Sequence, residues 1–352
     1  MLLDYEYKRL NEAQIISKNR EMIKIFKNLE TELAKLVNQA KIKYPSDFTQ
    51  RNFYKFNRNL ELKVKAVLAE YSENALTSID NGVRSQWTLG NDKNDDIIGQ
   101  VSRYTTNAKP AILAEMQGLN LVALDQFIKR KQNGLNLSQR VWNYTNTQNQ
   151  ELLETYLASG ITRGRSAQKI SQDVRQLLND PEKLFRRVRD KDGKLVLSQS
   201  AKAYQPGRGI YRSSAKNARR LAATETNMAF HNSDFLRRQK LPFVKGILVK
   251  LSASHPRPDI CNSMVGAYPR GYIFEGFHAL CICFTTTLMY SRKEVARYLR
   301  TGELDKRQYI RSIPKPATAY IKKHTPAFNK MKNKPYFLEK NFTKDFKLRK
   351  KK

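Results

Sequence analysis

Cysteine is scarce in this 352-residue chain, with three in all, and two of them, Cys281 and Cys283, are separated by a single residue. So few thiols build no disulfide framework, and a reducing compartment is expected. No run approaches the roughly 18 apolar residues needed to span a bilayer, which excludes a membrane from the expected partners. The first residues, Met1 to Glu6, include Asp4 and Glu6 where a signal peptide has basic residues, and no apolar stretch follows. Synthesis and folding in a cytoplasm are therefore expected. Acids are also in short supply: 32 Asp+Glu stand against 65 Lys+Arg, for a net charge of +33.

What is present is charge and helical pattern. Residues 306–352 alone hold 16 Lys+Arg against 2 acids. A chain so charged repels itself and seeks polyanions, nucleic acid above all, by contacts that ignore base sequence and weaken with salt. The candidate phosphate contacts are Lys322, Lys323, Lys347, Arg349, Lys350, Lys351 and Lys352 in this tail, with Arg208 and Arg212 in a loop upstream. Phe328, Tyr336, Phe337, Phe342 and Phe346 are interleaved with the tail lysines. They suit either stacking on unpaired bases or docking onto the protein's own body.

An apolar content of 40% over this length is enough for two or three domains. Met22, Phe26, Leu29, Leu33 and Leu36 recur at spacings of four and three, an amphipathic stripe that predicts a long helix packed in an intramolecular bundle. Lys43–Asp47, with Pro45, predicts a break, and Gly90–Asp96 a polar loop. Helix resumes over Ile112–Lys131 and ends at Asn133-Gly134. Gln139–Ser159 predicts another, and a further one starts at Gly164 and stops at Asp180-Pro181. Leu184–Arg189 and Lys194–Ser198, joined through Asp192-Gly193, predict a hairpin. Tyr204–Ser214 is a loop, Ser214–Gln239 an Ala-rich helix, and Phe243–Leu251 and Leu280–Tyr290 strands. Lys293–Arg300 is a short helix ahead of a tail broken by Pro314, Pro316, Pro326 and Pro335, expected to be disordered when free. The expected fold is α+β and mainly helical. It has an N-terminal helical region (1–133), a small α+β core with short β-strands (134–291), and a short helix with a basic, largely irregular C-terminal tail (292–352).

The soft ligands gather in one stretch, His255-x5-Cys261-x16-His278-x2-Cys281-x-Cys283. If Leu280–Tyr290 is a strand, Cys281 and Cys283 share one face, since two residues make one pleat repeat. With His278 just upstream, and Cys261 or His255 from the preceding loop, they form a candidate tetrahedral zinc site. The competing reading is that the thiols pack as small apolar groups and His278 satisfies backbone groups. Asp259 and Glu275 are the only acids close by, too few for a metal nuclease, and the chain is not expected to be an enzyme.

The order of motifs resembles one family. Arg219–Phe230, with Ala223-Thr224-Glu225-Thr226 at its centre, resembles the Arg-rich helix of the phage Mu F-like minor head proteins. Asp259-Ile260-Cys261, then Gly266 and Tyr268-Pro269, is similar to that family's cysteine loop. Gly276–Cys283 is similar to its closing His-Cys-Cys segment. Leu137–Trp142 and Gly160–Ser166 resemble the helical start of the module, and Phe185–Arg189 through Pro206–Ser213 a branch common in phages of Bacteroidetes-type bacteria. The likeness covers roughly 135–290. Ala223, Met264, Ala279 and Ile282 stand where the family has Arg, Cys, Pro and Arg, so any family metal site lacks one ligand here, for which His255 is a substitute. The resemblance implies a minor capsid or head-morphogenesis protein, placed near the portal vertex inside the capsid. Portal, capsid or scaffold proteins and packaged DNA would be its partners. Glu225 is read as a structural ion-pair partner of Arg219, or of Arg208 or Arg212, with a general base as the rival role. Two other readings stay open: a zinc-stabilised, sequence-independent DNA-binding protein, and a DNA-acting enzyme, either a nuclease or an ejected effector.

Overall fold

The computed structural model describes residues 2–40, 53–118, 120–162, 174, 178, 187–197, 211, 213–255 and 258–349. Lys43–Asp47, Gly164–Ser166, Asp180-Pro181 and most of Tyr204–Ser214 lie outside these. The fold is mainly helical, with one three-stranded antiparallel sheet and one two-stranded hairpin among the described residues. Two compact units are interleaved along the chain: residues 1–16, 81–133 and 223–352 form one, and 17–80 with 134–222 the other. One cut between the units falls between 133 and 134; the other three fall within long helices, each of which contributes residues to both units, and none falls at 291.

The second unit takes its core from α1 (Leu2–Gln39) and α3 (Arg58–Ser102); between them in sequence is the short α2 (Phe53–Phe56). Met22, Phe26, Leu29 and Leu33 are buried within the single chain, as are Val64, Leu68 and Ala75, so the stripe serves an internal bundle. A capping box at Asn136 and Gln139 starts α6 (Leu137–Trp142), which passes through a π-helical turn into α7 (Gln148–Thr162). The expected hairpin is present as β1 (Arg187–Arg189) and β2 (Leu195–Leu197).

In the first unit the expected loop at Gly90–Asp96 is instead the interior of α3. Asn91 and Asn94 turn their amides back onto the carbonyls of Trp87 and Gly90, which satisfies them inside a helix. Gly90 marks a close approach: a Cβ there would meet the Phe230 carbonyl oxygen at 2.7 Å. Its neighbour in that approach is α8 (Ser214–Arg238), whose alanine face, Ala218, Ala222 and Ala229, is buried. The expected helix Ile112–Lys131 is split into α4 (Pro110–Met116) and α5 (Leu121–Lys129). The break faces Arg237, which donates to the carbonyls of Met116 and Gly118 and pairs with Asp95.

Lys93, in the middle of that polar stretch, is 1% exposed. Its ammonium is 3.0 Å from Asp4 of α1 and 3.4 Å from Asp234 of α8, and Arg238 also pairs with Asp234. Burial disfavours the charged lysine, yet Asp234 and Asp4 outweigh it and raise its pKa. Asp4 also accepts from the backbone N–H and hydroxyl of Thr287.

The sheet runs in the order β4 (Gly266–Pro269), β3 (Val244–Lys250), β5 (Phe284–Met289). A register shift between Val244 and Gly246 turns the strand. Phe243 and Val244 thus enter one core, with α3, α4 and α10 (Arg292–Thr301), while Ile247 and Val249 enter another. That second core includes the cysteines and much of the tail, so the expectation of an irregular tail is corrected. Residues 315–341 form α11 (Lys315–Lys330) and α12 (Tyr336–Asn341), with Ala317, Ile321, Phe328, Phe337, Leu338 and Phe342 buried. Three of the four tail prolines stand at helix starts: Pro314 and Pro335 are the N-cap residues and Pro316 lies in the first turn, where a missing N–H costs nothing, while Pro326 lies inside α11. Asn341 holds Ile273 through two 2.8 Å hydrogen bonds, and Lys340 is paired with the buried Glu275.

Two outcomes are expected. Lys93→Ala leaves two buried carboxylates with less compensation and should cost about 3–5 kcal/mol in urea unfolding; a loss below about 1 kcal/mol would show that the network does not anchor the fold. Burial holds His231, set between the rings of Phe230 and Phe274, down at about 4. Its depressed folded value means that its contribution is complete above the unfolded value of about 6.5. It should be lost as pH falls towards 4, by about 3 kcal/mol. His231→Phe should remove that part of the acid sensitivity, and an unchanged pH profile would contradict the assignment.

Candidate metal centre

The cysteine site is built by a capped turn, a tight loop and one face of α8. Asp259 caps α9 (Ile260–Met264): its carboxylate accepts from the Cys261 N–H at 2.7 Å, and Asn262 reciprocates in a capping box. This fixes the direction of Cys261, which is fully buried. Cys281 and Cys283 do not lie on a strand as expected, for β5 begins only at Phe284. They follow a turn closed by the Cys281 N–H on the His278 carbonyl, with Leu280 at φ +60°. Gly276, at φ +91°, lets the loop fold onto Cys281; a Cβ there would meet that of Cys281 at 2.8 Å.

The turn is held from α8. Thr224 accepts the Leu280 N–H at 3.2 Å, and Asn227 donates to the Cys281 carbonyl at 3.1 Å. Three residues apart, they share a helix face, with Glu225 beside them directed elsewhere. Glu225 pairs with Arg130 at 2.7 Å, and Arg130 in turn lies over the Phe127 ring. The expected Glu225–Arg219 pair is not formed: six residues apart on one helix, the two face different ways, and Arg219 donates to Asn19. Arg208 and Arg212 fall outside the described residues.

The sulfurs of Cys261, Cys281 and Cys283 all lie within 4.8 Å of one another, and the first two are 3.6 Å apart. None of the three is in a disulfide. Hydrogen bonds from the thiols of Cys261 and Cys283, helped by the N–H groups of Phe277 and Cys283, favour the Cys281 thiolate against the cost of burial. Hydrogen bonding to Cys281 correspondingly pushes Cys261 up. Nε2 of His278 is 3.1 Å from the Cys261 sulfur and 3.0 Å from Asp259, which His255 also approaches at 3.2 Å. His255, Asp259 and Cys261 form a second close group sharing the same sulfur.

All five ligands expected from the sequence are thus brought to one place, together with Asp259. His278 lies close to the Ala279 carbonyl through Nδ1, at 2.7 Å. Assigning the ring proton to that bond turns the Nε2 lone pair towards a sulfur and a carboxylate oxygen. Such converging electron donors are what a cation satisfies, and the three-thiol cluster could hold a metal ion. Met264, where the resembling family has its second cysteine, is buried in the core. The supporting residues Thr224, Asn227 and Arg130 are not singled out by sequence pattern. The first two sit in the recognisable helix motif, but their hydrogen bonds run to a turn more than fifty residues away.

Of the candidate phosphate contacts, Lys322, Lys323, Lys347 and Arg349 are exposed, while Lys350, Lys351 and Lys352 lie outside the described residues. No family model, curated protein or solved structure matches the chain.

Cobalt(II) added to the reduced chain should give a sulfur-to-metal absorption in the near ultraviolet, with release of protons on binding. Cys281→Ser should weaken both signals strongly. Their absence from the unaltered chain would mean that the thiols only pack.

Proposed function

We propose that this chain is a minor head protein of a tailed bacteriophage, entering the prohead near the portal and touching packaged DNA through its charge. The observation that carries this reading is the ordered motif set, whose members are also partners in space. Thr224 and Asn227 of the Arg219–Phe230 motif hold the turn bearing Cys281 of the Gly276–Cys283 motif. The net charge of +33 is independent support, since a DNA-filled head is dense in phosphate that would neutralise it. Portal and capsid or scaffold proteins are the protein partners in this reading, and its work is mechanical and electrostatic.

Zinc is the ion we assign to the cluster, with Cys261, Cys281 and Cys283 as sulfur ligands and His278 as the nitrogen ligand. Zinc takes such sets tetrahedrally, and a site closed by four protein ligands is structural. Its place is to pin the loop between β4 and β5, which is low in regular structure and seats α12. Asp259 and His255 stand beside the set, orienting His278 and Cys261.

The same cluster and charge would also suit a zinc-stabilised DNA-binding protein that never enters a virion, and composition of particles separates the two. In purified DNA-filled particles made from a genome encoding this chain, mass spectrometry should find it in far fewer copies than the major capsid protein. Its absence from such particles would sink the head-protein reading. Cleavage of DNA on adding a divalent metal would establish the enzyme reading instead. Elemental analysis should find about one zinc per chain, the four-ligand stoichiometry of a single structural site. The metal should be almost gone in a Cys281→Ser/Cys283→Ser variant. No zinc, or two per chain, would overturn the ligand assignment.

A further inference from the structure

Composition predicts a tail that orders only on a polyanion, yet residues 315–349 are folded against the core. We propose that residues 315–349 form a ready-made phosphate-binding surface whose partner is duplex DNA, gripped by its backbone alone. The inference rests on the DNA contact proposed above and adds where that contact lies and what it reads.

Charge and exposure define the surface. On α11, Ala317, Ile321 and Phe328 are buried, while Lys315, Lys322, Lys323 and Lys330 are exposed, as are Lys344 and Lys347 beyond it. Among the described residues none of these six lysines is in an ion pair, whereas Lys340 is committed to Glu275. Lys315 and Lys322 are seven residues apart, as are Lys323 and Lys330, so each pair repeats on one side of the helix about every 10 Å. That is about the rise of three base pairs. The 16-residue helix spans about 24 Å, or roughly seven base pairs.

Burial of the aromatic residues decides what such a surface recognises. Stacking on unpaired bases needs exposed rings. Phe328, Phe337 and Phe342 are 5%, 2% and 3% exposed, and Phe346 is partly buried against the same core. The rings that interleave the lysines in sequence thus hold the segment onto the body, while the six lysines are exposed, with the two acids Glu339 and Asp345 exposed among them. Anchorage is specific: Asn341 holds Ile273, and Arg349 donates to the Phe342 carbonyl at 2.8 Å. A surface already folded does not have to be ordered on binding.

The test is a salt titration of the full chain with a duplex of about 30 base pairs and with oligothymidylate of equal length. Lys322→Ala/Lys323→Ala should reduce the magnitude of the slope of log K against log salt by about two, at about 0.9 for each duplex phosphate no longer neutralised. Lys129→Ala, whose ammonium is paired with Asp125 on an exposed helix turn outside this segment, should leave the slope unchanged. Circular dichroism should be the same for the double variant and the unaltered chain. Duplexes rich in A·T and in G·C should bind within about twofold of each other, as phosphate contacts carry no sequence information. An unchanged slope in the double variant, with binding otherwise intact, would overturn this surface while leaving the DNA contact standing. Preference for oligothymidylate over duplex would overturn the backbone-only mode. No binding to either at low salt would remove the DNA contact itself.

Discussion

A lysine with almost no access to water is the constraint on which much of this molecule rests. Lys93 can stay charged only because Asp4 and Asp234 are beside it, and Asp234 also has Arg238. Through them the start of α1, the last third of α3 and the last turns of α8 are tied together, and Thr287 on Asp4 adds the edge of the sheet. Buried ion pairs of this kind are weak sources of stability but severe penalties when broken. Their effect is to specify one arrangement: a shift of any of these elements would strand a charge in the core.

Helix α8 carries that constraint towards the cysteine cluster. Its later residues, Asp234, Arg237 and Arg238, serve the ionic network and the break between α4 and α5. Earlier on the same helix, Thr224 and Asn227 hold the turn of Cys281, and Glu225 is neutralised by Arg130. Cys261 is positioned separately, by the cap that Asp259 places on α9. The cluster therefore depends on two local devices and one long-range one, and a metal ion would join them through its ligands. Loop and tail complete the arrangement, since Glu275 and Ile273 of the cysteine loop are held by Lys340 and Asn341 of α12.

Where sequence pattern and structure part, the cause lies in polar and imino residues. Gly90-Asn91-Asp92-Lys93-Asn94-Asp95-Asp96 has the composition of a loop, yet Asn91 and Asn94 bond back along α3 and Gly90 admits a neighbouring helix. The tail prolines have the composition of breaks, yet three of them sit at or just inside helix starts. In both places local composition is compatible with two structures, and distant partners select between them. The Glu225 pairing differs for another reason: its role as a structural ion is legible, but Arg130 lies 95 residues away and no local spacing points to it.

The sequence by itself determined what short-range rules control. These include the amphipathic stripe of α1, the Asp-Gly hairpin, the Ala-rich α8, strand β3, the surplus of positive charge and the narrow stretch holding the thiols and imidazoles. Each is carried by residues within a few turns of one another, where periodicity and turn chemistry are sufficient. Only the tertiary structure decided that three sulfurs and a histidine converge ahead of a strand rather than along one. It alone decided that Lys93 is buried, that Glu225 answers Arg130, and that the tail's aromatic rings face inward. Those outcomes depend on burial and on the pairing of charges far apart in the chain. Desolvation makes an unpartnered charge or polar group costly, and so the fold as a whole, rather than any segment of it, chooses the partner.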